Sequence, residues 1–383
     1  MTSALILEDG CNPSVLAAVR SLGRAGLRVG VASPQPNPRV VPSRWTHRWH
    51  EVRPAEQDLD GYVADVRAAC EADGYDLVFG ADDVELLALS ARRDELPALL
   101  PHASHEAVLR AVDKLTLAEA ATSVGVAVPR TVPADEQALA AVSGPVVVKS
   151  RLHWTPGTPP HPDRHLRVRI SEDADAARRQ VRLLAGAHAE AVLQEPLQGE
   201  QIALSLVVDG AGEVYAVSQQ RTVLTSLAHT SVRAVTTPVD DGLVAGAVRL
   251  LRELGWIGLV NLQYLRPPGH DAHLIDLNGR FYGSLALAIA AGADLPAVWT
   301  GLALGRPPGP RQVGRSGVRF HALQTDLVRA RVERRGGLAA DVAGALAYAP
   351  GAAHSMWSVR DPRPALAVLG GLGRRLRPGR SHA

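Results

Sequence analysis

The sequence predicts an α/β layer followed by an α+β region, and three observations predict it. Apolar strand-like runs alternate with amphipathic helical stretches through the first hundred residues, the pattern of a parallel sheet covered by helices. From about residue 190 strand-like runs follow one another across short turns, as antiparallel ladders do. The chain has 383 residues, long for one domain, so two or three domains are expected.

Composition sets the class. At 46% hydrophobic and 21% charged the chain can bury a sizeable core, and a net charge of +2 gives no reason to expect nucleic acid as a partner. Residues 3–7 are too short for a signal peptide and run into Glu8, Asp9 and Gly10. No stretch approaches the roughly 18 apolar residues of a membrane span. Cys11 and Cys70 offer neither a disulfide framework nor a thiolate metal site and read as small buried residues. A cytoplasmic location is expected.

In order, 4–8 reads as a strand and 14–25 as a helix, with Val15, Leu16, Val19 and Leu22 on one face and Gly26 as its stop. Strands at 28–32 and 76–80 alternate with helices at 59–72, capped by Asp58, and at 83–91. The turn Asp9-Gly10-Cys11-Asn12-Pro13 is no GxGxxG, so a dinucleotide site is not supported. His102 and His105 have a spacing a metal could use but read as surface or capping residues. A helix at 114–124 stops at Gly125, and a β-branched strand, 144–150, leads into the loop 151–167 with its four prolines. The loop histidines His153, His161 and His165 read as solvated. A helix at 172–184 and a strand at 191–195 precede strands at 202–208, 214–219 and 231–237 and a helix at 244–254. A buried helix at 285–292, a strand at 318–323 and a helix at 336–348 complete the pattern. The basic segment 374–383 reads as a solvated tail, with contact to an anionic membrane beside 366–372 as the alternative.

Chemistry-bearing residues concentrate in 273–284, HLIDLNGRFYGS. Strand alternation puts Asp276 and Asn278 on one face, and a carboxylate beside an amide oxygen suits a hard cation such as Mg²⁺. Arg280, just beyond, could hold a phosphate or carboxylate bidentately. On these residues alone a strand running into a polar turn is the first reading. The strand 259–266 changes the balance: with the turn 267–271 it makes a hairpin that places Gln263 near Asp276 and Asn278. Lysine usage adds a second signal. Of 41 basic residues only Lys114 and Lys149 are lysine, so these positions call for a compact ammonium.

These segments resemble the ATP-grasp superfamily, above all the synthetase domains of carbamoyl phosphate synthetase and the carboxylate–amine ligases. The shared features are Asp113-Lys114 before GVAVP, VVVK ending in Lys149, Gln194-Glu195-Pro196-Leu197-Gln198-Gly199-Glu200, His229-Thr230-Ser231, and the hairpin carrying Gln263, Asp276, Asn278 and Arg280. The resemblance implies an ATP-grasp fold with an N-terminal pre-ATP-grasp α/β domain (1–105), a nucleotide-binding domain (106–305) and a C-terminal extension (306–383). It implies that Lys114, Lys149 and His229 lie along the ATP phosphates, that Glu195 and Leu197 hold adenine, and that Glu200 holds ribose. Gln263, Asp276 and Asn278 would be ligands for Mg²⁺ or Mn²⁺. Arg280 and Lys149 would be the catalytic residues, with Arg221 and Arg233 as further candidates near an acyl phosphate. The sequence departs from the synthetase pattern at Asp276, where Glu is usual, and at Gly279, where Pro is usual. The expected activity joins a small-molecule carboxylate to an amine with ATP, releasing ADP and phosphate. Carboxyphosphate chemistry or a non-catalytic ATP-binding module are the alternatives, and homo-oligomerisation is left open.

Overall fold

The computed structural model describes residues 1–9, 13–35, 39–158, 169–226, 231–306 and 309–368. Cys11, His161, His165, His229 and the basic segment 374–383 lie outside these.

The amino-terminal layer runs β1 (Ser3–Leu7), α1 (Pro13–Arg24), β2 (Arg28–Ser33), β3 (Thr46–Glu51), α2 (Leu59–Asp73), β4 (Leu77–Gly80), α3 (Asp83–Ala91) and α4 (His105–Val112). Its four strands are parallel in the order β3-β2-β1-β4. β1 is buried at every position, as a central parallel strand must be. Asp58 caps α2 by accepting from the Gly61 N–H, as expected. β3 escaped the sequence pattern because its residues, THRWHE, suit an exposed edge rather than an apolar run. The winding reverses at β1, so the crevice beyond the strands' carboxyl ends is bordered by Glu8, Asp9, Asp82 and Asp83.

The second layer comprises α5 (Lys114–Ser123), β5 (Thr131–Pro133), α6 (Glu136–Ala140), β6 (Val146–Ser150), β7 (Arg169–Ser171), α7 (Ala174–Gly186) and β8 (Ala191–Gln194). Its strands pair antiparallel in the order β5-β8-β6-β7. Leu139, Val146, Val148, Leu184 and Leu193 form the core between this sheet and its helices. Alternation along β6 then turns Lys149 to the opposite face.

The third layer holds β9 (Glu200–Val208), β10 (Val214–Thr225), β11 (Ser231–Thr237), α8 (Asp241–Leu254), β12 (Gly258–Arg266) and β13 (His273–Asn278). It continues through α9 (Leu285–Ala291), α10 (Leu295–Ala303), β14 (Gln312–Val313), β15 (Arg319–His321), α11 (Leu323–Glu333), α12 (Leu338–Tyr348) and β16 (Ala353–His354). The sheet order is β13-β12-β9-β10-β11-β15-β16, with β14 on β10. The last strands of the chain thus extend the same sheet that carries the β12–β13 hairpin.

Aromatic packing and buried ion pairs fix the layers to one another. Phe79, Phe281 and Trp299 pack with ring centroids 4.8–5.7 Å apart, joining β4 to the segment after β13. His102 belongs to this cluster, 4.8 Å from Trp299, rather than to the surface: it is 1% exposed and its Nε2 accepts the Gly80 N–H at 3.1 Å. His105, in contrast, opens α4 and meets Ser90 Oγ at 2.9 Å. On the far side buried Asp361 accepts from Arg20 Nε at 2.8 Å, Ser43 Oγ at 2.7 Å and Arg44 N at 3.0 Å, strapping the carboxyl-terminal segment to the amino-terminal layer.

Candidate active site

The hairpin forms in the register that its alternation predicts. Gln263 faces Asp276 and Asn261 faces Asn278 across β12 and β13, so all four side chains share one face. Asn261 was not singled out in the sequence, although its i,i+2 spacing from Gln263 carried the signal. Its Nδ2 donates to Ser205 Oγ at 2.9 Å, which makes it a support beneath the site.

Both lysines converge on this hairpin. Lys114, the first residue of α5 after its Asp113 cap, sends Nζ to Asp276 Oδ1. Lys149, at the end of β6, donates from Nζ to the Ile275 carbonyl at 3.2 Å. Both are more than nine-tenths buried. Burial pushes the Lys149 ammonium down to about 8; Lys114 lowers it further, and Asp276 opposes. Burial alone would raise the Asp276 carboxyl, but Lys114 and Lys149 outweigh it and hold the group below its usual range. The cluster therefore carries two ammoniums against one carboxylate, an excess of positive charge in a partly dry cleft.

Asn278 is 7% exposed and its Nδ2 has no acceptor. A phosphate oxygen or an ion-bound water entering the cleft would supply one. Among the described residues no group of three or more His, Cys, Asp and Glu gathers as a metal site, so an ion here relies on amide oxygens. One carboxylate and two amides form a hard-oxygen set that fits Mg²⁺ with phosphate and water completing its shell.

Arg280 turns away from the lysines. It donates from Nε to Asp83 Oδ1 at 2.7 Å, and its Nη2 lies 3.3 Å from Asp82 Oδ1 at the mouth of the amino-terminal crevice. Burial works against its charge, but Asp82 and Asp83 prevail and raise its pKa. His153 Nδ1 joins the same Asp83 carboxylate, so this loop histidine is not simply solvated. Gly279 sits where a Cβ would lie 2.0 Å from the Trp256 ring. Gly279 thus leaves the space that the Trp256 ring fills.

The remaining candidates are dispersed. Glu195 is exposed just past β8, its N–H donating to the Arg130 carbonyl at 2.9 Å, beside half-buried Leu197. Gln194, buried on the Lys149 face, was not selected; its Nε2 donates to Thr131 Oγ1 at 2.8 Å. Glu200 is exposed at the start of β9, opposite Arg266. Gly199 is required there, since a Cβ would stand 2.2 Å from the Arg266 carbonyl oxygen. Arg233 donates to Asp326 at 2.6 Å and lies over the face of Tyr348. Arg221 is exposed on β10.

Comparison with solved structures decides the fold. N5-carboxyaminoimidazole synthetase from Staphylococcus aureus, complexed with ADP, matches at a TM-score of 0.63, covering 83% of this chain and 80% of that one at 13% identity. This is the ATP-grasp fold. The biotin carboxylase domain of Hydrogenobacter thermophilus 2-oxoglutarate carboxylase, with MgADP, ADP and bicarbonate, matches at 0.66, 12% identity and 83% and 73% coverage. L-amino acid ligase from Bacillus licheniformis matches at 0.60, 16% identity and 79% and 74% coverage. The family described as "ATP-grasp in the biosynthetic pathway with Ter operon" matches residues 188–325. No curated protein matches the sequence. At these identities the likeness to solved ATP-grasp structures is one of fold. The first two of these structures hold ADP.

Proposed function

We propose that this chain is an ATP-dependent ligase that activates a carboxylate as an acyl phosphate and joins it to an amine. The observation that carries the reading is the convergence of buried Lys114 on Asp276 and of buried Lys149 on the adjacent Ile275 carbonyl, in a chain that otherwise uses arginine. Two ammoniums in a water-poor cleft match the negative charge of a triphosphate and oppose its build-up as the γ-phosphoryl leaves. Arriving phosphates would draw Lys114 away from Asp276 and free the carboxylate. Asp276, Asn278 and Gln263 would then hold Mg²⁺, which supplies neutralisation of the phosphate oxygens when bound. Glu195, Leu197 and Glu200 would hold adenine and ribose by resemblance, with His229 near the phosphates.

In the reaction a substrate carboxylate oxygen attacks the γ-phosphorus and ADP departs. The amine then attacks the acyl carbon, phosphate leaves with the C–O bond pair, and the amine gives up a proton. Positioning and charge do the catalysis, so no protein nucleophile is required. Arg280, poised between the hairpin and the amino-terminal crevice, would reach an acyl phosphate by exchanging Asp83 for it.

ADP release with Mg²⁺ and ATP, screened against pools of small acids, amines and bicarbonate, tests this. Release that needs both an acid and an amine, and is lost in Lys149→Arg, supports ligation. Bicarbonate in place of the acid would assign carboxyphosphate chemistry, and ATP binding with no turnover in any pool would assign a non-catalytic module.

A further inference from the structure

Charge is divided unevenly along this chain. Residues 323–383 hold ten arginines against four acids, a net of +6, whereas the first 322 residues sum to −4. Three of the four acids of that region point inward. Asp326 and Asp361 are at most 1% exposed and bound to Arg233, Arg329 and Arg20, and Glu333 is buried beside Arg335. Arg331, Arg334, Arg335, Arg360 and Arg363 are exposed. The outward charge is cationic.

The same region is apolar outside. Of the fourteen large apolar side chains exposed among the described residues, seven lie between Leu323 and Val368. A groove of about 360 Å³ gathers Leu327, Val328, Arg331, Met356, Trp357 and Val368. Val328 is 58% exposed and Trp357 43%, and Val332, one turn beyond Val328 on α11, is 66% exposed. Exposed aliphatic groups, a half-exposed tryptophan and surrounding arginines together describe a surface for an interface of apolar interior and anionic rim.

We propose that this face docks on an anionic phospholipid membrane, with the Val328–Trp357 groove at the boundary of acyl chains and headgroups and the arginines on the headgroup phosphates. No single helix among the described residues is long and apolar enough to cross a bilayer, and the contact proposed is peripheral. Nucleic acid would use the arginines but leave Val328, Val332 and Leu366 without a partner. The proposal stands apart from the ligase reading, since none of these residues belongs to the hairpin site.

Sedimentation of the full chain with vesicles of phosphatidylcholine, alone or mixed with phosphatidylglycerol, tests it. Binding to the mixed vesicles should be at least tenfold stronger and should weaken as salt rises. Joint Val328→Asp and Val332→Asp substitution should lower it at least tenfold. Changing Arg331, Arg334, Arg360 and Arg363 to Gln should also lower it, by roughly fivefold for each arginine that reaches the surface. Leu183→Asp, an exposed apolar site on α7, should leave it unchanged, and melting curves would show that each variant folds. Equal recovery with both vesicle types, or none, would overturn the proposal. So would a dimer that Val328→Asp dissociates, which would assign the face to a second copy, or salt-sensitive capture by duplex DNA that the valine substitutions leave intact.

Discussion

Asp276 and Asp326 are both carboxylates set among buried cations, and they are held in opposite ways. Asp326 is fully buried and closed: Arg233, His321 and Arg329 donate to its two oxygens at 2.6–2.9 Å. Those forked, fixed donors leave no room for a ligand, and the cluster ties β11, β15 and α11 together. Asp276 is met by a lysine on a flexible stem, while a second lysine, depressed to about 8, bonds only a backbone carbonyl. A buried amide nitrogen beside them has no acceptor. Satisfied charge stabilises a fold, and incompletely satisfied charge of one sign is a means of taking up a ligand of the other.

The widest test of that contrast is removal of the closed carboxylate. Asp326→Ala should cost about 3–5 kcal/mol of stability by stranding two guanidiniums, measured by denaturant unfolding. A loss below about 1 kcal/mol would mean that the cluster is not structural. Lys149→Met should do the reverse. ADP release should fall by about 10²–10³-fold, a scale typical of losing one group that stabilises developing charge, while the melting temperature holds or rises because a desolvated ammonium is gone. Asp83→Asn should be milder, lowering stability by about 1.5–3 kcal/mol through weakened bonds to Arg280 and His153.

A pH series sharpens the comparison at least cost. Lys149 is charged below about 8 and neutral above it, so ATP affinity should fall by up to about tenfold per pH unit beyond 8. Stability should move the other way. Its folded-state value lies below the unfolded 10.5, so between the two the unfolded chain holds more protons. Raising pH through that window therefore relieves the burial penalty, and the melting-temperature advantage of Lys149→Met should shrink.

The same contrast explains what could be read from residues alone. Helix α3 at 83–91 and strand β11 at 231–237 stand where their apolar periodicity and caps put them, and the β12–β13 register follows from alternation. The lysines were legible through composition, since position and rarity both marked them. Arg280's turn toward Asp83 was not, because it depends on a contact between residues 197 positions apart that local pattern does not encode. Helix α11 was missed for a related reason: Val328 and Val332 face outward, blurring the amphipathic period. Gly279, a departure from the synthetase pattern, has a local packing reason in Trp256 that the sequence alone does not encode.

The most direct measurement is calorimetric titration of MgATP into the wild-type chain and into Lys149→Met at pH 7. Saturable one-to-one binding to the wild type, weakened at least tenfold in the variant, is what a phosphate site built on Lys114, Lys149 and Asp276 predicts. Equal binding by the two proteins, with the variant folded, would contradict it.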